Sequence, residues 1–203
     1  NEKSTSVYLP TVYLTSNENE MTPEITGIGI FNKDKLVGFL DGDDTKILLF
    51  ISNQIKGGLL TGKEIEDTSS TKISLEIFRN DTKIKPHYIN DKLTIEINTK
   101  TDVAIAENEG QENYIDEAGR MKLKKAFEEK LESDIKSVIK KVQEQYGCDI
   151  FGFGKAIRIK MPRLWKQIEP QWEEMFKTVE VEVHSTINIK NSGLQMKPVK
   201  AGD

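Results

Sequence analysis

Cysteine is nearly absent: Cys148 is the only one in 203 residues, so no internal disulfide can form and the chain says nothing about its redox compartment. Histidine is almost as scarce. His87 and His184 are the only two, and neither has a second histidine or a cysteine at ligand spacing, which leaves no zinc signature. Neither sign of charge dominates: 29 basic and 33 acidic residues give a formal net charge of −4, which offers nothing to draw a nucleic-acid backbone. Long apolar runs are missing too. The longest, Ile47 to Ile51, is far below the roughly 18 residues a spanning helix needs. The chain opens on Asn1 with no charged-then-apolar leader, as expected of a processed or truncated protein.

What is present is a 36% hydrophobic fraction, enough for one good core or a main core with a smaller companion. Val7 to Thr15 reads as a strand whose Pro10 favours an edge or a bulge, and Thr15 to Glu20 as a polar loop. Ile25 to Phe31 and Leu36 to Leu40, joined by Asn32–Lys35, form a hairpin pattern. Asp41, Gly42, Asp43 and Asp44 then supply carboxylates to cap a helix near Lys46 to Gln54, with Gly57 and Gly58 ending it. Residues 1–62 are therefore expected to form a small α/β lobe.

A second β-rich stretch begins near Thr71, where Ile73, Leu75 and Ile77 alternate with Ser74, Glu76 and Phe78. Lys83 to Ile89 and Leu93 to Ala106 continue it, with a turn at Asn90 and Asp91, as an antiparallel meander. Then the period changes. Phe127, Leu131, Ile135, Val138, Val142 and Tyr146 lie three and four apart on one stripe of a long helix that Gly147 stops. Short helices follow, capped by Asp149, opened by Pro162 and opened again by Pro170, before a final strand on Val179, Val181, Val183, Ile187 and Ile189. The expected fold class is α+β, an antiparallel sheet with one long and several short helices on one face, the second domain spanning 68–195.

Chemical motifs are few. Phe151-Gly152-Phe153-Gly154-Lys155 looks like a glycine loop that offers N–H groups to an anion, but it matches neither dinucleotide nor P-loop spacing and follows a helix, so it reads as close helix packing. Asp41–Asp44 lacks the EF-hand order and reads as a turn and helix cap. Cys148 belongs to no local nucleophile signature and reads as a small buried residue. Carboxylates alternating with lysines on the long helix read as a solvated face. Trp165 and Trp172, with Pro162, Leu164, Ile168 and Phe176, are either a ligand-stacking surface or core aromatics, and helical spacing favours core. No catalytic, cofactor-binding or metal-binding residue is assigned, no cofactor is expected, and no partner-binding residue can be named.

The runs Gly147–Lys155, Pro162-Arg163-Leu164-Trp165-Lys166 and Trp172-Glu173-Glu174-Met175-Phe176 together resemble the C-terminal region of the Ger(x)C spore germination lipoproteins. Gly29-Ile30-Phe31 with Lys35–Leu40 extends the resemblance upstream, and the valine and glutamate strand ending near Gly193 extends it downstream. Cys148, where an aliphatic residue is usual, and Ile159, in a usually basic stretch, depart from the pattern. The resemblance implies a non-catalytic C subunit of a nutrient germinant receptor, a scaffold at the outer face of the spore inner membrane that works with two integral-membrane subunits. It also implies an N-terminal lipid anchor outside this sequence, on a cysteine other than Cys148. An apolar patch rimmed by polar residues, with the junction of the two lobes as its expected place, is the mark of such an interaction protein. A pocket of several hundred Å³ would favour a small-ligand module instead, and two carboxylates or a metal in one cleft would favour an enzyme.

Overall fold

The computed structural model describes residues 6–17, 20–63, 72–108, 114 and 116–190. Seven strands form two sheets: β1 (Ser6–Asn17), β2 (Glu20–Asn32) and β3 (Lys35–Leu40) in one, β4 (Leu59–Lys63), β5 (Lys72–Ile89), β6 (Lys92–Asn108) and β7 (Glu180–Ile189) in the other. Between them run α1 (Gly42–Ile51), α2 (Glu117–Gln145), α3 (Phe153–Lys160), α4 (Pro162–Ile168) and, after a 3-10 turn, α5 (Trp172–Phe176). The fold is α+β, as the pattern of periods implied. Three expectations fall on residues outside those described: the junction between the two units after Lys63, the start near Thr71, and the C-terminal stretch 191–195 with Gly193.

The first sheet is antiparallel with β2 in its centre, and its register slips between Pro10 and Val12, where proline cannot donate to the ladder. The β1–β2 pairing runs on to Asn17 opposite Glu20, so the polar loop expected from Thr15 is mostly strand. α1 starts at Gly42, earlier than expected, because the Asp41 carboxylate accepts the Asp44 N–H at 2.9 Å. It stops at Ile51, before Gly57 and Gly58, as the chain turns through Asn53 at a φ of 57°. A carbonyl of its last turn is then claimed from the other sheet: Phe50 O accepts from Thr82 Oγ1 at 2.7 Å and Asn80 Nδ2 at 3.3 Å.

In the second sheet β5 is one strand across Arg79–Thr82, bent by register shifts rather than broken, and the short edge strand β4 had no signal in the sequence. β5 and β6 pair antiparallel, whereas β7 joins β6 in parallel, which makes the sheet mixed. A parallel return requires a long crossover, and the helices α2 to α5 supply it. α2 lies across the sheet with Leu123, Phe127, Leu131, Ile135, Val138, Ile139 and Val142 buried, the stripe expected from its period. Two of its carboxylates have a task that alternation with lysine did not reveal. Glu132 accepts the Ser185 N–H and Glu128 the Ile187 N–H, each at 2.8 Å, so α2 satisfies backbone donors that the edge strand β7 would otherwise present unpaired.

Buried residues from both sheets and the helices form one cluster. Tyr146 ties α2 to the first sheet: its hydroxyl donates to Phe39 O at 2.8 Å, and its ring lies where a Cβ on Gly38 would be 2.1 Å away, so only glycine fits in β3 there. Lys141 of α2 adds an ion pair to Asp44 of α1.

Candidate functional site

The glycine loop after α2 does bind an anion, and the anion is the protein's own. Gly147, at a φ of 60°, ends α2 and turns the chain so that Asp149 points inward. Its carboxylate accepts the backbone N–H groups of Gly152 at 2.9 Å, Phe153 at 3.0 Å and Gly154 at 2.7 Å, and the Trp172 indole N–H at 3.2 Å. This is the nest of N–H groups that a phosphate would occupy in a nucleotide loop, already filled by a buried side chain. Burial pushes the Asp149 carboxyl above the usual aspartate range, and the N–H groups of Gly154, Phe153, Trp172 and Gly152 pull it back.

Around that knot the aromatics are core. Phe153 and Phe176 are fully buried, Phe151 stacks on Phe153 with centroids 5.3 Å apart, and Trp172 packs edge-on against Trp165 at 5.8 Å. Gly154 sits beneath both tryptophans, where a Cβ would lie 2.7 Å from the Trp172 indole nitrogen. Trp172 is buried and Trp165, half-buried, packs its ring against the same core, so the pair serves packing rather than a free stacking platform, and Cys148 is buried in the same cluster.

The remaining sequence candidates are local. Asp41 caps α1, Asp43 lies 3.6 Å from Lys46, and Asp44 is taken by Lys141. His87 meets Glu96 at 2.8 Å, while His184 lies exposed on β7 opposite Asn98. Asn98, His87 and Lys85 together hold Glu96 down to about 2. Among the described residues no group of three histidine, cysteine, aspartate or glutamate side chains converges as a metal site. A cleft of about 270 Å³ between α1, β4 and α2 is lined by Ile47, Leu60, Phe127, Leu131 and Val138 beneath a charged mouth. The charges of that mouth are mutually engaged, Lys130 with Asp134 at 2.6 Å and Lys46 with Asp43, which leaves few polar groups aimed at a ligand.

The unmatched surface is the outer face of the first sheet. Its inner face puts Ile28, Ile30 and Leu40 into the core against Ile47, Leu48, Phe50 and Ile51 of α1. Strand alternation turns the next residues outward, in cross-strand rows: Val7 beside Phe31 beside Leu36, then Leu9 beside Gly29 beside Phe39. Leu36 and Phe39 are each 49% exposed and Leu9 53%. Beyond the register shift at Pro10 the β1–β2 ribbon runs past the end of β3 and carries Val12, Tyr13, Leu14, Met21 and Ile25 with half or more of their surfaces exposed. The turn residues Lys33, Asp34 and Lys35, with Glu24, give the apolar face a charged rim. Lone apolar side chains on a surface are ordinary, but a contiguous rimmed face on two or three strands is the form of a protein contact surface. Sequence reading placed these residues on strands and left them there, because nothing in the alternation of one strand tells which of its faces will be covered.

The same chain of strands and helices occurs in known proteins. It superposes on the crystal structure of the GerBC protein with a TM-score of 0.77 at 28% identity, over 92% of this chain and 57% of that one. Spore germination protein B3 of Bacillus subtilis (strain 168) is 32% identical over 170 residues, 82% of this chain and 44% of its own length. Spore germination protein YndF of the same organism is 22% identical over 170 residues, 83% of this chain and 42% of its length. The chain thus spans less than half the length of these curated relatives. No described helix is long and apolar enough to cross a membrane. Residues 26–193 match the family described as Spore germination B3/GerAC like, C-terminal, and the chain belongs to that family.

Proposed function

We propose that this chain is the part of a germinant-receptor C subunit that holds the receptor together, a non-catalytic interaction domain required for spores to respond to nutrients. The observation that carries this reading is the apolar outer face of the β1–β2–β3 sheet, with Leu9, Leu36 and Phe39 each about half exposed in a chain of this family. Its partners in this reading are the receptor's integral-membrane A and B subunits, its place is the outer face of the spore inner membrane, and a lipid anchor outside this sequence attaches it there. The two units, 1–62 and 68–195, divide the work: the first presents the contact face, and the second, through Tyr146 and Lys141, fixes the angle at which it is presented. The aromatic cluster around Trp172 lends the small-ligand alternative little support, since Trp172, Phe153 and Phe176 are buried and the half-buried Trp165 packs against them.

The test is Leu36→Ser with Phe39→Ser in the full-length protein of the spore. Because both side chains are about half exposed, the change in stability should stay within about 1 kcal/mol. Loss of refractility in response to nutrient should fall sharply, and co-purification of the A and B subunits should fall with it, while a nutrient-independent trigger still works. Normal nutrient germination and normal co-purification, at normal protein level, would refute the assignment of this face.

A further inference from the structure

Beside the β5–β6 hairpin of the second sheet, charge of one sign collects on α3 and α4. From Lys155 to Lys166 there are five basic residues, Lys155, Arg158, Lys160, Arg163 and Lys166, and no acidic one, in a protein whose net charge is −4. Lys155, Arg158 and Ile159 are exposed at spacings of three and four on the side of α3 opposite its buried Phe153 and Ile157, so they share one solvent face. Lys160 reaches across to β5 and donates to Ile84 O at 2.6 Å, which locks α3 to the β5–β6 hairpin. Tyr88 of that hairpin then lines one shallow groove with Lys160, Met161, Pro162, Arg163 and Leu164.

Two features separate this corner from an ordinary solvated face. Lys155, Arg158, Arg163 and Lys166 have no ion-pair partner among the described residues, whereas the lysines of α2 mostly pair with an acid one turn away. The acids of the adjoining hairpin are already engaged, Glu96 by Lys85 and His87, and Asp91 by the Tyr88 hydroxyl at 3.2 Å. And large apolar side chains stand among the cations: Ile159 is 66% exposed on the face of Lys155 and Arg158, and Tyr88, 42% exposed, lines the groove with Lys160 and Arg163. An acidic protein segment would satisfy the cations but leave Ile159 without a partner. An anionic bilayer surface satisfies both, with phosphates over the guanidinium and ammonium groups and the isoleucine and tyrosine at the boundary below the headgroups.

We propose that the α3–α4 corner, with the tip of the β5–β6 hairpin, is a peripheral binding surface for an anionic phospholipid membrane. It is independent of the receptor assignment, because it is read by lipid binding alone, with no partner subunit present.

The test is co-sedimentation of this chain, without any lipid attached to it, with phosphatidylglycerol-rich vesicles and with pure phosphatidylcholine vesicles. Binding should be confined to the anionic vesicles and weaken as salt rises. Arg158→Gln with Arg163→Gln should lower the partition coefficient about thirtyfold, from roughly fivefold per basic residue near such a surface. Ile159→Ser should lower it at constant charge. Lys125→Gln with Lys136→Gln on α2 makes the same change of charge elsewhere and should leave binding nearly as it was. All of these side chains are exposed, and matching circular dichroism melts confirm that the variants fold. Absence of binding to the anionic vesicles would overturn the proposal, as would equal losses from the two double variants. Binding to polyglutamate without binding to vesicles would overturn it in favour of an acidic protein segment.

Discussion

Removal of the Asp149 carboxylate should be the most damaging single polar substitution in the chain. Four N–H donors converge on it, three from the backbone at 2.7 to 3.0 Å and one from Trp172 at 3.2 Å, and no other acceptor among the described residues takes them. A buried donor left unsatisfied costs about 1–3 kcal/mol, and the two glycines next to the carboxylate let the loop relax part of that. Asp149→Ala should therefore cost about 3–5 kcal/mol, a large share of the ~5–15 kcal/mol that holds a domain together. Asp149→Asn separates hydrogen bonding from shape. An amide keeps one accepting oxygen, so either the Gly152 and Phe153 pair or the Gly154 and Trp172 pair faces an NH₂ group instead, and the cost should be about 2–3 kcal/mol. In a Trp172→Phe background the indole donor is gone, and Asn should cost about 1 kcal/mol less than it does in the parent. Urea titrations followed by tryptophan fluorescence and by far-ultraviolet circular dichroism, with coincident transitions and an unchanged m value, read these differences. A loss below about 1 kcal/mol for Asp149→Ala would refute the view that the glycine loop is organised by its internal anion.

Other parts of the structure make separate predictions. Gly38→Ala drives a Cβ to within 2.1 Å of the Tyr146 ring, which its own hydroxyl bond holds in place, and should cost about 1–3 kcal/mol in thermal or urea melts, largely recovered in a Tyr146→Ala background. Glu128→Ala with Glu132→Ala uncovers the Ser185 and Ile187 N–H groups on the β7 edge; stability should fall by about 1–2 kcal/mol per position, and sedimentation should detect concentration-dependent self-association absent from the parent. For Glu96 the sign follows from its lowered pKa: the folded form prefers the carboxylate, so its stabilising contribution is present above the ordinary glutamate value of 4.5 and is lost as pH falls towards about 2. The stability difference between parent and Glu96→Gln should accordingly shrink across that window, and a difference that stays constant with pH would contradict it.

How much of this was legible beforehand depends on the range of the interaction. The hairpin at Lys33–Lys35, the Asp41 cap, the stripe of α2 and the stop at Gly147 are governed by residues within a turn or two of one another, and each was readable from spacing and local chemistry. β4 was missed because Leu59–Lys63 is short and borrows its strand character from pairing with Ile73 to Glu76. Alternation with lysine marks Glu128 and Glu132 as part of a solvated face, because helical spacing shows where a carboxylate points on its own helix and not which strand lies there.

Composition and periodicity alone determined that this is an α+β chain with a long amphipathic helix, no disulfide and no long apolar span, since those properties depend on residue counts and on neighbours three or four apart. Only the tertiary structure decided that the phosphate-like loop encloses Asp149, that the tryptophans face inward, that β7 returns in parallel, and that one face of the first sheet is left uncovered. Each of these is a contact between residues far apart in the sequence, and whether such a contact forms depends on how the faces of whole elements compete for one core, which no local pattern records.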